Sequence, residues 1–181
     1  MQTLAQHVVF PAGPAESSAL GDVHVRAWRE TYPGILPATY LAALRPEIHA
    51  ARFRKQLNAQ APGEVVLAAE GAGGLVGYCA GALLSDDHRL AQAEVFTLYL
   101  LKAAQGRGLG ARMLGAAAGV LAAQGAGSLV IWVLTNNTPA RAFYEHLGGK
   151  IAGERSVAGW GGGLRETAYR WDDIGRVVAE R

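Results

Sequence analysis

KAAQGRGLGARMLGAAAGVLAAQG (Lys102–Gly125) sets three glycines at alternate positions, Gly106, Gly108 and Gly110, just before an apolar, alanine-rich run. The run predicts a helix, whose first backbone N–H groups have no partner inside it. The helix dipole adds about half a positive charge at that end, and glycines let an anion reach the N–H groups. A turn that requires positive φ angles would explain one glycine, whereas three in alternation favour a phosphate-binding loop.

The residues after the loop narrow the kind of phosphate ligand. GRGLGA (Gly106–Ala111) matches the G-x-G-x-x-A pattern of dinucleotide-binding folds. Those folds also need an acidic residue about 20 positions later, at the end of the next strand, to bind a ribose. Here that predicted strand ends in WVLTNN (132–137), which has no carboxylate. A dinucleotide-dependent oxidoreductase is therefore the less favoured alternative.

The composition predicts one globular domain over residues 1–181. Half of the residues are apolar and 18% are charged, as in ordinary globular chains. The net charge of +2, without a basic run, gives no indication of nucleic-acid binding. The single cysteine, Cys79, lies in the apolar segment LVGYCAG and is interpreted as a core residue. One cysteine provides neither a disulfide framework nor a metal site.

The expected location is the cytoplasm, without a membrane segment. MQTLAQHVVF at the start lacks the basic region and the apolar region of a signal peptide. The longest central run without charge, residues 113–133, contains Gln124, Ser128 and four glycines, which makes a membrane span a poor interpretation.

Hydrophobic periodicity and turn residues predict a strand, two helices, three strands, a helix, a strand, a helix and two strands, in that order. AEVFTLYLL (93–101) is the strand that leads into the glycine loop. SLVIWVL (128–134) is almost wholly apolar, as in a strand buried on both faces. The order predicts an α/β (α+β) fold, with a mixed sheet of about seven strands flanked by about four helices.

Several motifs resemble those of the GCN5-related N-acetyltransferases. QGRGLG (Gln105–Gly110) fits that family's Q/R-x-x-G-x-G/A signature, and NNTPARAFYEHLGG (136–149) is similar to its N-x-x-A-x-x-F/Y-Y-x-x-x-G-F element. AWRETYPGILPATYL (27–41) resembles the N-terminal helices of its bacterial small-substrate members, and TAYRWDD (167–173) resembles a common ending. The resemblance covers most of the chain. One departure is Gly149, where the family usually has Phe and this chain lacks an apolar anchor.

The resemblance implies the fold of that family and an acetyl-CoA-dependent N-acetyltransferase. The acetyl group would pass directly to a primary amine, on a small molecule or a peptide, within a ternary complex, and a homodimer is left open. The glycine loop would hold the pyrophosphate, while strand backbone and the Asn137 amide would contact pantetheine. The residues implied for the donor site are Leu100, Leu101, Gln105, Gly106, Arg107, Gly108, Leu109, Gly110, Ala111, Asn137, Ala140 and Phe143.

Acyl transfer from a thioester to an amine needs a base for the incoming ammonium and an acid for the departing thiolate. The resemblance implies Glu94 as the base, acting through water, and Tyr144 as the acid. An exposed glutamate at a strand end and a core aromatic on a helix are the alternative interpretations of these two residues. Glu30 and His24, both on the first predicted helix, are weaker candidates for the base.

Strand alternation predicts that Glu94 shares one face with Phe96, Leu98 and Leu100. A carboxylate on so apolar a strand needs an explanation, and a catalytic role would supply one.

Trp28 and Tyr32 lie where the resembled family builds its acceptor pocket. An aromatic wall suits an amine, although core packing explains Trp28 equally well. The remaining alternative function is an acyl-CoA sensor that retains the loop without the chemistry; the presence of both Glu94 and Tyr144 counts against it.

Overall fold

Seven strands form a single mixed sheet in the computed structural model, which describes residues 7–85, 88–158 and 163–179. Their order across the sheet is β1-β2-β3-β4-β5-β7-β6, and the pairing is antiparallel except between β4 and β5. In chain order the elements are β1 (Val8–Pro11), α1 (Ser17–Thr31), α2 (Ala38–Ala43), α3 (Pro46–Asn58), β2 (Glu64–Gly71), β3 (Gly74–Leu83), β4 (Ala93–Leu100), α4 (Leu109–Ala123), β5 (Leu129–Leu134), α5 (Thr138–His146), β6 (Lys150–Ser156), β7 (Arg165–Trp171) and α6 (Ile174–Ala179).

This architecture confirms the predicted α/β class and the predicted seven strands. The described residues form six α-helices instead of about four. Pro46 accounts for one extra helix, because it restarts the chain as α3 after α2 has ended at Ala43. The other is α6, whose Ile174 and Val177 are buried against α4. None of the described helices has the length and apolar character needed to cross a bilayer.

Buried apolar clusters lie on both faces of the central strands. On one face lies the α4 cluster, in which Met113, Leu114 and Leu121 of α4 are fully buried. On the other face lies the α1 cluster, which includes Leu20 and Val23 of α1. β5 is buried on both sides, as its apolar sequence predicts.

β4 and β5 are parallel neighbours that pair over only part of their length. Residues 93–95 of β4 pair with residues 129–131 of β5. β4 then continues to Leu100 and β5 to Leu134 without further pairing between them. The two strands therefore separate at their carboxyl ends and leave a wedge-shaped opening in the sheet.

β4 also carries a bulge at Phe96. In its pairing with β3, Val95 faces Gly81 and Thr97 faces Ala80, so Phe96 has no opposite residue. An extra residue of this kind interrupts the regular alternation of side chains. The bulge lies where β4 begins to separate from β5.

The bulge overturns the predicted face of Glu94. Ala93 and Val95, its neighbours in sequence, belong to the α4 cluster, so Glu94 points to the α1 face. Beyond the bulge, Leu98 and Leu100 pack against the α4 cluster. The prediction that Glu94 shares a face with Leu98 and Leu100 is therefore wrong, because it assumed an unbroken strand.

Trp171 of β7 fills the space of the apolar anchor that Gly149 lacks. Its indole is buried, and its Nε1 donates a hydrogen bond to the Leu147 carbonyl at 2.7 Å. A Cβ atom at position 149 would lie 2.8 Å from Cζ2 of Trp171 and 2.9 Å from the Tyr144 carbonyl oxygen. The missing side chain at position 149 is thus a requirement of the packing around Trp171.

Gly149→Ala should lower the free energy of unfolding by about 1–3 kcal/mol, because the added methyl group overpacks this site. Gly73→Ala is the matched control, since a Cβ atom there meets nothing within 4 Å, and its effect should stay within about 0.5 kcal/mol. Urea denaturation of both variants measures the difference. Equal stabilities would contradict this account of the Trp171 packing.

Candidate active site

A cleft of about 750 Å³ opens where β4 and β5 separate. Its walls come from the carboxyl end of α1, the second half of β4, the glycine loop, β5, α5 and the start of β7. The second half of β4 pairs with β3 but has no strand partner on the β5 side, and it runs along the cleft. Extended backbone of this kind can pair with a ligand as with another strand.

The glycine loop forms one end of the cleft. Gly106 and Gly108 have φ angles of 71° and 76°, in the left-handed region that favours glycine. A Cβ atom at either would meet nothing within 4 Å, so the space beside this backbone is open. Gly108 is the N-cap of α4, and its carbonyl accepts the first hydrogen bond of the helix, from Arg112. The N–H groups before Arg112 are therefore available to an anion such as a phosphate.

Most residues predicted for the donor site line this cleft. They are Leu100, Gln105, Gly106, Gly108, Gly110, Ala111, Asn137, Ala140 and Phe143. Gln105 braces the loop, since its Nε2 donates to the Leu100 carbonyl at 2.9 Å. Asn137 is buried and caps α5, with its Oδ1 accepting from the Ala140 N–H at 3.3 Å. Its amide group remains able to donate into the cleft.

Leu101, Arg107 and Leu109 do not line the cleft. The Leu101 N–H donates to Val76 at 2.9 Å and its carbonyl accepts from Ala104 at 2.8 Å, so this backbone has no free group for pantetheine. The Leu109 side chain is in the core and Arg107 is exposed. The expected backbone pairing of Leu101 is therefore corrected, because its N–H is committed to the Val76 carbonyl.

Tyr144 lies on α5 and lines the cleft opposite β4. Only 5% of the residue is exposed, and burial raises the pKa of its phenol well above the ordinary value. Within the described part of the chain, no side-chain hydrogen bond involves its hydroxyl. The phenol is thus held protonated beside the cleft, with its proton uncommitted.

Glu94 is half-buried at the closed end of the wedge and does not itself line the cleft. Burial raises the pKa of its carboxyl, while the nearby charges of Arg155 and His88 oppose that shift. It shares the α1 face with Thr97 and Tyr99, both of which line the cleft. A water molecule would have to connect Glu94 to a group bound there.

Neither alternative base is well placed. The Nδ1 atom of His24 lies 2.6 Å from the Tyr78 hydroxyl, and burial lowers the pKa of its imidazole to about 3. His24 is therefore a neutral core histidine that does not line the cleft. Glu30 lines the cleft, but its Oε2 accepts from the Lys102 N–H at 2.7 Å, which ties α1 to the segment before the glycine loop.

Tyr32 and Tyr99 form an aromatic wall of the cleft, where the carboxyl end of α1 meets β4. Tyr32 lines the cleft, and its hydroxyl lies 2.8 Å from that of Tyr99. Trp28 stands behind Tyr32, with ring centroids 5.1 Å apart, and does not line the cleft. The structure thus separates the two predicted acceptor residues into a lining residue and a supporting one.

Among the cleft-lining residues that sequence reasoning missed are Tyr99, Trp132 and Glu166. Glu166 occupies the β7 position opposite Leu134 of β5. Alternation in RETAYRW indicates a strand with Glu166 on one face. The sequence does not show that this strand pairs with β5, so it does not show that Glu166 faces the cleft.

Cys79 is fully buried on β3, opposite Leu98, and burial raises the pKa of its thiol to about 12. This confirms its interpretation as a core residue, since a buried neutral thiol is a poor nucleophile.

The sequence is similar to those of known acetyltransferases. A sequence model of the acetyltransferase (GNAT) family matches residues 25–149. The chain is 26% identical over 155 residues to an uncharacterized N-acetyltransferase, YuaI, of Bacillus subtilis (strain 168), which covers 86% of this chain and 87% of that protein.

Two solved structures share the fold. The PaiA N-acetyltransferase of Thermoplasma acidophilum, solved in complex with coenzyme A, superposes with a TM-score of 0.74 and 17% identity, over 91% of this chain and 98% of that one. YncA of Salmonella typhimurium, solved with its cofactor acetyl-CoA, has a TM-score of 0.66 and 18% identity, over 93% and 94% of the two chains.

Proposed function

The chain belongs to the acetyltransferase (GNAT) family, and we propose that it transfers the acetyl group of acetyl-CoA directly to a primary amine bound in the same cleft. It is an N-acetyltransferase with acetyl-CoA as co-substrate. The observation that carries the proposal is that one cleft is lined by the glycine loop with its free helix N–H groups, by the aromatic wall and by the Tyr144 phenol. The acceptor would be a small molecule or a peptide, and residues 1–181 would act as one domain.

The described residues fit coenzyme A as donor. The bare N–H groups before Arg112 suit a pyrophosphate, and the open space at Gly106 and Gly108 leaves room for its oxygens. The second half of β4, which has no strand partner on the β5 side, and the amide of Asn137 suit the amide groups of pantetheine. When bound, acetyl-CoA supplies a thioester whose carbonyl carbon accepts the amine nitrogen.

We assign the acid role to Tyr144. The departing sulfur needs a proton, and a phenol kept neutral by burial holds one at all physiological pH values. The absence of a competing hydrogen bond to this hydroxyl among the described residues supports the assignment.

We assign the base role to Glu94, acting through water. Most amines carry a proton at neutral pH and must lose it before attack. A carboxyl whose pKa is raised by burial is a better proton acceptor than an ordinary glutamate. The position of Glu94 on the face shared with Thr97 and Tyr99 supports a connection to the acceptor through water.

Direct transfer is favoured over an acetyl-enzyme. Such an intermediate would need an accessible nucleophile, and Cys79 is both buried and protonated.

Gly108→Ala should weaken coenzyme A binding by about tenfold or more, because its methyl group would occupy the space that the phosphate needs. Gly125→Ala is the matched control: Gly125 follows the other end of α4, has a φ of 102° and meets nothing within 4 Å. Both variants bear a similar backbone strain of about 1–3 kcal/mol, but only the first should change the dissociation constant measured by calorimetry. Intact binding by a folded Gly108→Ala variant would refute the loop assignment.

Tyr144→Phe should lower kcat by about 10²–10⁴-fold and leave the coenzyme A affinity nearly unchanged. Tyr169→Phe is the control, because its ring lies next to that of Tyr144 and its hydroxyl bonds Arg141 and Glu145 outside the cleft. The control should lose stability and retain turnover. Normal kcat in Tyr144→Phe would remove the acid role from this residue.

Glu94→Gln should likewise lower kcat by about 10²–10⁴-fold, whereas Glu70→Gln, at an exposed position on β2, should not. In the unmodified protein, kcat at saturating acceptor should fall as the pH drops, because the carboxylate becomes protonated. Since the pKa of Glu94 is raised, this fall should begin at a higher pH than an exposed glutamate, with a pKa of about 4.3, would give. An unchanged profile in Glu94→Gln would disprove the base assignment.

A further inference from the structure

The acceptor end of the cleft contains a carboxylate that the proposed chemistry does not use. Resting on the proposed function, we infer that Glu166 binds the ammonium group of the acceptor and selects primary amines that carry no carboxylate beside the reactive nitrogen. Arg155 is the positioning residue for Glu166.

Glu166 is directed to the acceptor side by its register. It is the second residue of β7 and lies opposite Leu134, whose side chain packs with Tyr32 in one apolar cluster. Leu134, Tyr32 and Glu166 all line the cleft. Its side chain is 21% exposed, so it is partly shielded from water.

Arg155 holds one oxygen of Glu166 and leaves the other free. Its Nε donates to Oε2 of Glu166 at 2.8 Å, and its guanidinium lies 4.1 Å from the ring centroid of Trp132, which also lines the cleft. Stacking on an aromatic ring and a charge-assisted bond together fix the orientation of the carboxylate. Across the described ranges, no hydrogen bond is made by Oε1, which can accept from an ammonium group.

The charges around Glu166 favour a cation. Arg155 interacts electrostatically with Glu94 as well as with Glu166, so one guanidinium is shared by two carboxylates. Glu30 and Lys102, which also line the cleft, contribute one charge of each sign, while Ile35, Leu134 and Tyr32 near the acceptor are neutral, so the two carboxylates that share Arg155 leave a net negative charge. An ammonium group is attracted here, and a carboxylate attached beside it would be repelled.

The test compares 2-phenylethylamine with L-phenylalanine, which differ only in the carboxylate. The kcat/KM for phenylethylamine should exceed that for phenylalanine by about tenfold or more. Glu166→Gln should raise the KM for phenylethylamine by about tenfold or more with a much smaller change in kcat, because a charge-assisted hydrogen bond is lost. The ratio between the two acceptors should shrink in the same variant.

Glu154→Gln is the matched control, because Glu154 forms the neighbouring ion pair of the same hairpin, with Arg165 at 2.9 Å, and lies outside the cleft. It should leave both acceptors unaffected. Arg155→Met should raise the KM as Glu166→Gln does, and Arg155→Lys should restore part of the loss. Surface ion pairs contribute little to stability, so thermal melting should show all four variants folded.

An unchanged KM in Glu166→Gln, or a preference for phenylalanine, would overturn the inference. So would turnover of neither compound by a protein that acetylates other amines. Failure to bind coenzyme A, or to acetylate any member of a wide amine panel, would instead contradict the proposed function.

Discussion

The partial pairing of β4 with β5 is the constraint on which the site depends. Two parallel strands that remained paired to their ends would satisfy each other's backbone and close the sheet. Here pairing stops after residue 95 of β4, and the following backbone runs along the cleft. The backbone groups of this segment that face away from β3 border an open cleft, so they suit an extended, amide-containing ligand. The glycine loop lies at the end of the same strand and supplies the matching anion site.

The bulge at Phe96 changes which side chains of β4 point to each face of the sheet. Before it, β4 is held in the sheet with Glu94 on the α1 face; after it, Leu98 and Leu100 face the α4 side. In the proposed complex the donor would meet α4 and α5, while the acceptor would meet α1, the aromatic wall and Glu166. One irregular residue would then allow a single strand to contact both substrates from opposite faces. The proposed base, Glu94, and the proposed acid, Tyr144, would lie on different sides of the reacting atoms.

Much of this organisation was predictable from local patterns. The glycine spacing, the motif at residues 136–149 and the apolar β5 each depend on residues close in sequence, so the loop, α5 and the fold class could be inferred. The face of Glu94 could not, because a bulge depends on the register with β3. The Leu101 N–H is committed because it bonds the Val76 carbonyl, which is distant in sequence. Glu166 reaches the cleft because β7 lies beside β5. These are long-range properties that periodicity does not encode.

The shared volume of Gly149 and Trp171 constrains which residues related sequences can carry at these two positions. The two positions are separated along the chain but share one volume, in which an indole replaces the side chain that position 149 lacks. A larger residue at 149 is compatible only with a smaller one at 171. The pair should therefore change together during evolution, and each residue is conditionally neutral or deleterious according to its partner. The Tyr144 carbonyl oxygen borders the same volume. Substitutions at positions 149 and 171 should therefore also shift the backbone of Tyr144, the proposed acid.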